Sequence, residues 1–364
     1  MNSGSEKITV LTSSDKVEWD NFYDQLPAEL RDVNFSFDYN FIYEKNGDGS
    51  IRLFVFEQND QIYFYPFLIR EVYSGNEQTD YKDIETVYGY TGPVSTTLDP
   101  EFIKNADKAF CKYCLSERII SEFIRFHPLL QNQNVFNEIS SVKLIALRDY
   151  VVVDLSATAD VIFENYSSPN RNKIRKAEKA GIEIEFDYEC KRFDDFKAIY
   201  LENMKRLNAA PMYFFSTDFF NGLNALTKKT GVLVNAREEG ETIGSTVFLK
   251  GSFFGHYFLS SATERGRSLA VSNLMLHQGI LWAKKSGLHS IHLGGGVTGE
   301  ETDPLLVFKK NFSKKTLKFY IGKRIHNEMA YNEIVKRWDE KHPVEAIKYK
   351  FILQRYRFKE ADLV

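Results

Sequence analysis

The sequence predicts an α+β chain of two domains, each a mixed, mainly antiparallel sheet flanked by helices. Three observations carry this. The chain has 364 residues, which suits about two domains of ordinary size. Its apolar content of 43% supplies real cores and excludes a wholly disordered chain. The order antiparallel meander, helix, strand then occurs twice. The same fold is therefore expected twice, although residue identity between the halves is poor.

In the first half, residues 51–56 and 61–69 are runs rich in β-branched and aromatic residues, with Asn59-Asp60 as a turn between them. Residues 87–93 read as a glycine-punctuated strand end. A helix follows over 101–118, then a strand over 120–126, closed by His127-Pro128. In the second half, 231–237 and 242–250 form a hairpin around Glu238-Glu239-Gly240, and 253–260 adds a third strand after Gly251-Ser252. A helix over 272–286 stops at Gly287, and a strand over 290–293 breaks at three glycines. Three helices precede this meander, at 171–180, 194–207 and from a Ser216 cap onward. A last helix covers 327–341. With no linker-like composition, the expected divisions are 1–150, 151–326 and a helical tail over 327–364 that packs back on the first domain.

Composition narrows function. Lys and Arg total 47 against 50 Asp and Glu, a net charge of −3, which removes the simplest case for a dedicated nucleic-acid binder. The N-terminus has neither the basic nor the apolar region of a secretory signal, and no apolar run reaches membrane-helix length. Three cysteines fit a reducing cytoplasm, the expected location. Cys111 and Cys114 form C-x-x-C on a helical apolar stripe, where packing outweighs a redox or metal role. No metal site is expected: the histidines are scattered, and zinc and nucleophile-elbow patterns are absent.

Three segments can carry chemistry. Residues 171–179 hold five basic residues and one acid just past Ser168-Pro169-Asn170, a helix start suited to phosphate. Gly294, Gly295 and Gly296 end a strand and let backbone approach a ligand, with Phe308-Lys309 a short loop away. Residues 261–273 join a strand to a helix through Arg265, Gly266 and Arg267 and could hold a pyrophosphate, without a Walker or dinucleotide pattern. His256-Tyr257 lies in an alternating strand, where a buried hydrogen-bonded pair and a functional role both stay open.

In order along the chain stand Arg171-x-x-Ile174-x-Lys176-Ala177-x-x-x-Gly181, Tyr200, Arg206, Tyr213-Phe214, the three glycines, and Leu305-x-x-Phe308-Lys309-x-x-Phe312. Over residues 152–320 this set resembles the FemABX-type aminoacyl- and acyltransferases, with the 88–93 glycine turn as the main match in the first half. The resemblance implies two tandem GNAT-like (acyl-CoA N-acyltransferase) domains, acceptor on the first and donor on the second. It implies transfer of an aminoacyl or acyl group to an amine on a cell-envelope precursor, a peptidoglycan peptide or amino sugar. The donor would be aminoacyl-tRNA, acyl-CoA or acyl-carrier protein, as co-substrate without a tightly bound cofactor. Lys309 falls at the catalytic lysine. Arg206 and Lys45 would meet acceptor phosphate, Tyr213, Tyr257 and Tyr90 would bind acceptor, and Arg171, Lys173, Arg265 and Arg267 would bind donor phosphate. Residues 216–230 hold one short helix where some members carry a long helical arm.

The chemistry is attack of a neutral amine on an ester or thioester carbonyl. Lys309 suits the oxyanion, helped by backbone N–H groups near Gly294–Gly296. The base stays unassigned. A different class is a single-stranded nucleic-acid binder using 304–325, where seven basic residues and no acid alternate with Phe308, Phe312, Phe319 and Tyr320. Setting aside 171–179 and 309–324, which together hold twelve basic residues and one acid, leaves 35 basic against 49 acidic. The near-neutral balance is thus an average over two cationic segments and an acidic remainder.

Overall fold

A computed structural model describes residues 6–75 and 77–358. The chain divides into two compact units. The first comprises the described residues of Met1–Leu26, Gly47–Ala146 and Tyr320–Val364, and the second Pro27–Asn46 and Leu147–Phe319.

In the first unit, Ser50–Gln58 and Gln61–Ser74 pair antiparallel in the register Ser50↔Ile69 to Gln58↔Gln61. Asn59 and Asp60 turn between them with φ of 49° and 61°, the left-handed pair that a tight hairpin requires. Lys7–Leu11 covers one edge and Glu77–Glu85 extends the other, both antiparallel. Helix Pro100–Ser116 then crosses to Ile119–Arg125, which pairs parallel with Glu77–Glu85, and Ile321–Ile325 adds antiparallel. Asp99 caps the helix by accepting from the Phe102 N–H. Phe102, Ile103, Ala106, Phe110 and Cys114 form its buried stripe. Much of the aromatic content lies beneath it: the Phe110 ring sits 5.1 Å from Phe54, 5.0 Å from Tyr65 and 5.7 Å from Phe67. Cys114 packs on that stripe, and Cys111 accepts from Arg324.

The second unit repeats the plan. Glu183–Asp187, Gly231–Glu238, Glu241–Lys250 and Phe254–Ala262 run antiparallel in that order. Helix Val271–Lys285 crosses to Ser290–Gly294, parallel to Phe254–Ala262, and Val151–Asp154 closes the order antiparallel. Gly279 lets this helix lie flat on the sheet, since a Cβ there would fall 2.0 Å from the Phe248 ring. Edge strand, three-strand meander, helix, parallel strand and antiparallel neighbour thus occur in both units. In each unit the chain adopts the expected α+β class, mixed and mainly antiparallel strands flanked by helices.

Some elements differ from expectation. Residues 88–90 form bends and Thr91 a single bridge to Phe126 rather than a strand end, with Gly89 and Gly92 at φ of 115° and 76°. The edge strand Glu183–Asp187 is an element that the sequence pattern did not signal. The compact units are also not cut at residues 150 and 326. Pro27–Asn46 joins the second unit because helix Phe37–Asn46 packs on helix Thr217–Thr230, with Tyr43 against Phe219 and Lys229 bonded to Asp38 at 2.6 Å.

Candidate active site

The parallel pair Phe254–Ala262 and Ser290–Gly294 is in register over three positions, the last being His256↔His292. Just beyond, both strands carry an irregularity on their outer sides. One lies where Phe248 faces Tyr257 and Val247 faces Leu259, and the other between His292 and Gly294. An extra residue bends a strand and raises its twist. The parallel pairing ends at the level of these two bulges.

Where Ser290–Gly294 ends, the chain turns through Gly294, with φ of 81°. Gly295 and Gly296 are required by close approach: added Cβ atoms would lie 2.8 Å from the Asp149 carbonyl and 2.5 Å from the Asp303 carboxyl carbon. Asp303 is the staple of this turn. One oxygen accepts from the N–H groups of Val297 and Thr298 and from the Thr298 hydroxyl, and the other caps helix Pro304–Lys310 at Leu305 and Leu306. Burial alone would raise this carboxyl, but those N–H donors outweigh it and hold it at about 2. Arg148 donates to the carbonyls of Gly296 and Val297 at 2.9 and 3.0 Å.

The same helix brings Lys309 to the turn. Leu306 and Phe312 are buried in the core and Phe308 packs against it, so Lys309 is carried inward and is 7% exposed. Its Nζ donates to the Gly295 carbonyl at 2.7 Å. Burial pushes its ammonium down to about 7, against the opposing pull of Asp303. This amine sits near the midpoint of its titration at neutral pH, where an oxyanion would favour its charged form.

A second polar array meets the strands at their last pair. Asp32 Oδ2 lies 2.8 Å from His256 Nε2, and His256 Nδ1 lies 2.6 Å from His292 Nε2. All three residues are buried. Asp32 gets there through a close backbone approach: Ser252 donates to the Arg31 carbonyl, and a Cβ on Gly251 would fall 2.6 Å from Asp32 Cα. An Asp32 carboxylate accepts the Nε2–H of His256, whose Nδ1 then accepts the Nε2–H of His292. The carboxylate and the two rings thus form one buried hydrogen-bonded chain.

The other expected site residues are distributed as follows. Tyr257 stands one residue past the last register pair, its ring 5.7 Å from Phe248 and its hydroxyl pushed up to about 12 by burial. Lys45 is exposed at the end of helix Phe37–Asn46, its Nζ 4.9 Å from the Phe41 ring centroid. The next residue, Asn46, accepts from the Ser216 N–H, which sets Lys45 at the foot of the 207–216 loop. That loop follows Arg206, which is exposed and bonded to Asn203, and carries Tyr213, whose carbonyl accepts from Tyr200. Tyr90 belongs to the first unit, beside His127.

The expected phosphate ligands are engaged locally. Arg171 donates to the carbonyls of Glu164 and Tyr166, Arg265 forms a bidentate pair with Glu238, and Arg267 donates to the Ala262 carbonyl at 2.8 Å. Lys173 is exposed on helix Ser168–Lys179. The basic-aromatic stretch is also structural. Phe312 and Phe319 are buried, and Lys315 and Lys318 pair with Asp154 and Asp149. Phe312 and Phe319, enclosed in a core, offer no face to a base, while Phe308 and Tyr320 are half-buried.

Residues 168–303 match the family model described as an acetyltransferase (GNAT) domain. That match lies within the second unit and supports an acyltransferase. Among solved structures its fold is similar to FemX, at 13% identity and a TM-score of 0.66, covering 90% of this chain and 99% of that one. It is also similar to the C-terminal domain of a putative lysylphosphatidylglycerol synthetase from Agrobacterium fabrum, at 13% identity and TM-score 0.55, covering 87% and 94%. A tandem GNAT protein from the clavulanic acid biosynthesis pathway matches at 7% identity and TM-score 0.50, covering 89% and 99%. No curated protein matches the chain by sequence. Among the described residues no helix is long and apolar enough to cross a membrane.

Proposed function

We propose that the second unit moves an aminoacyl or acyl group from a phosphate-bearing donor to an amine on a cell-envelope precursor. The donor class is aminoacyl-tRNA, acyl-CoA or acyl-carrier protein. The acceptor is a peptidoglycan peptide or amino sugar, as the FemABX resemblance implies. The observation that carries the reading is the buried Lys309 ammonium on the glycine turn, at the end of a strand whose parallel pairing has just ended.

The acceptor nitrogen attacks the acyl carbonyl carbon, forming the C–N bond. Lys309 donates to the oxyanion of the tetrahedral intermediate, whose charge favours the protonated amine. The proton shed by the attacking nitrogen passes to the Asp32–His256–His292 array. The C–O or C–S bond to the donor then breaks, and a proton returns to the departing oxygen or sulfur. On this reading Lys45, Arg206, Tyr213 and Tyr257 belong to the acceptor. Lys173, with Arg171, Arg265 and Arg267 only if they leave their present partners, belongs to donor phosphate.

The test is mass spectrometry of amine acceptors incubated with charged tRNA, acyl-CoA or acyl-carrier protein, followed by kinetics with the donor that reacts. Lys309→Ala lowers turnover by about 10²-fold or more, the scale of losing one oxyanion donor. Unchanged turnover removes Lys309 from the mechanism, and transfer from none of the donors rejects the activity.

A further inference from the structure

The segment after helix Glu328–Lys341 is apolar on two sides. Its inner side, with Ala346, Tyr349 and Leu353, packs on the cluster of Tyr331, Trp338 and Tyr356. Its outer side presents Val344 at 73% exposure, Ile347 at 74% and Phe351 at 78%. These three stand at positions i, i+3 and i+7, one stripe along helix Pro343–Lys348 and the turn after it. Ile352 adjoins them at 40% exposure. The hydrophobic effect normally keeps large side chains of this kind inward, so a stripe of them in water marks a docking surface.

The charges beside the stripe decide what docks. Lys341, Lys348 and Lys350 are exposed around it, whereas Glu345, the one acid in 341–352, is half-buried. Lys350 lies over the Phe351 ring at 4.8 Å, so cation and apolar surface share one patch. Four apolar side chains are few against the ~800 Å² per partner that a stable protein interface covers. They suffice for shallow insertion at an interface, where apolar burial and attraction of cations to anionic headgroups add together. We propose that this segment is a peripheral membrane contact, seating Val344, Ile347 and Phe351 among the headgroups of an anionic lipid surface.

The test is flotation of the full chain with vesicles of phosphatidylcholine alone or with a quarter phosphatidylglycerol. Binding is expected to the anionic vesicles only and to weaken with salt. Replacing Lys341, Lys348 and Lys350 together by Gln should lower partitioning by on the order of 100-fold, from the roughly fivefold effect of each basic residue near such a surface. Val344→Ser, Ile347→Ser and Phe351→Ser combined should abolish it, with circular dichroism checking that the fold persists. Equal binding to both vesicle types, no binding, or full binding by the serine variant overturns the proposal. So does a concentration-dependent dimer removed by the same substitutions in the absence of vesicle binding, which would make a second copy the occupant. Acyl transfer enters none of these readouts.

Discussion

Replacing Lys309 with Met gives a measurable consequence of the site's electrostatics without any substrate. Burial lowers this lysine from its ordinary 10.5 to about 7 in the folded protein. The folded state thus binds the proton more weakly than the unfolded chain. Between these two values the unfolded chain holds one more proton, so wild-type stability rises with pH, by about 1.4 kcal/mol per pH unit. Below about pH 7 the contribution is flat and the wild type carries the full cost of a buried cation. Over the whole window that cost is about 5 kcal/mol.

Lys309→Met has no proton to hold there. It also loses the bond to the Gly295 carbonyl, a cost that does not vary with pH. The informative quantity is therefore the change in the stability difference rather than its size. Urea unfolding of both proteins from pH 6.5 to 9 measures it. Relative to wild type, the variant is most favoured at the acid end. Its advantage shrinks by roughly 2–3 kcal/mol between pH 7 and 9. Parallel stability curves across this range would refute the burial of a titrating ammonium at position 309.

Two further substitutions probe the packing that holds each unit together. Phe110→Ala empties the space shared with Phe54, Tyr65 and Phe67 and should cost about 3–5 kcal/mol in denaturant unfolding. A loss under ~1 kcal/mol would mean that those rings do not depend on it. Gly279→Ala drives a methyl into the Phe248 ring and should destabilise by about 1–3 kcal/mol. A neutral or raised melting temperature would show that helix Val271–Lys285 is free to shift.

The sequence revealed what local pattern controls. The meanders, the crossing helices and the Phe308-Lys309 pair following a glycine turn were legible, because period, caps and glycines act over a few residues. The proton array was not. His256 and His292 alternate within strands, but Asp32 lies 224 residues from His256 and reaches it only through the Gly251 contact. The partners of the charges were not legible either. Arg171, Arg265 and Arg267 look like free cations in a list of residues, yet each is spent within its own neighbourhood on a carbonyl or carboxylate. Edge strand Glu183–Asp187 escaped notice because it lies among charged residues and only Asp187 at its end is buried.

The duplicated fold also explains why one unit is the better candidate for chemistry. In the first unit the parallel pairing does not simply stop after Glu85↔Phe123. Thr86 N–H donates to the Phe123 carbonyl, Arg125 N–H to the Thr86 hydroxyl, and Thr91 N–H to the Arg125 carbonyl. Thr91 then bridges to Phe126, so loop residues stitch the pair shut. In the second unit the register ends at His256↔His292, beside two bulges, with a glycine turn and a buried lysine at the end of one strand. Ending a pairing sacrifices ladder hydrogen bonds, a cost that selection tolerates where a ligand's polar groups replace them. A fold used twice, with the parallel pair prolonged by loop residues in one copy and ending at a glycine turn and a buried lysine in the other, therefore makes the second unit the better candidate for chemistry.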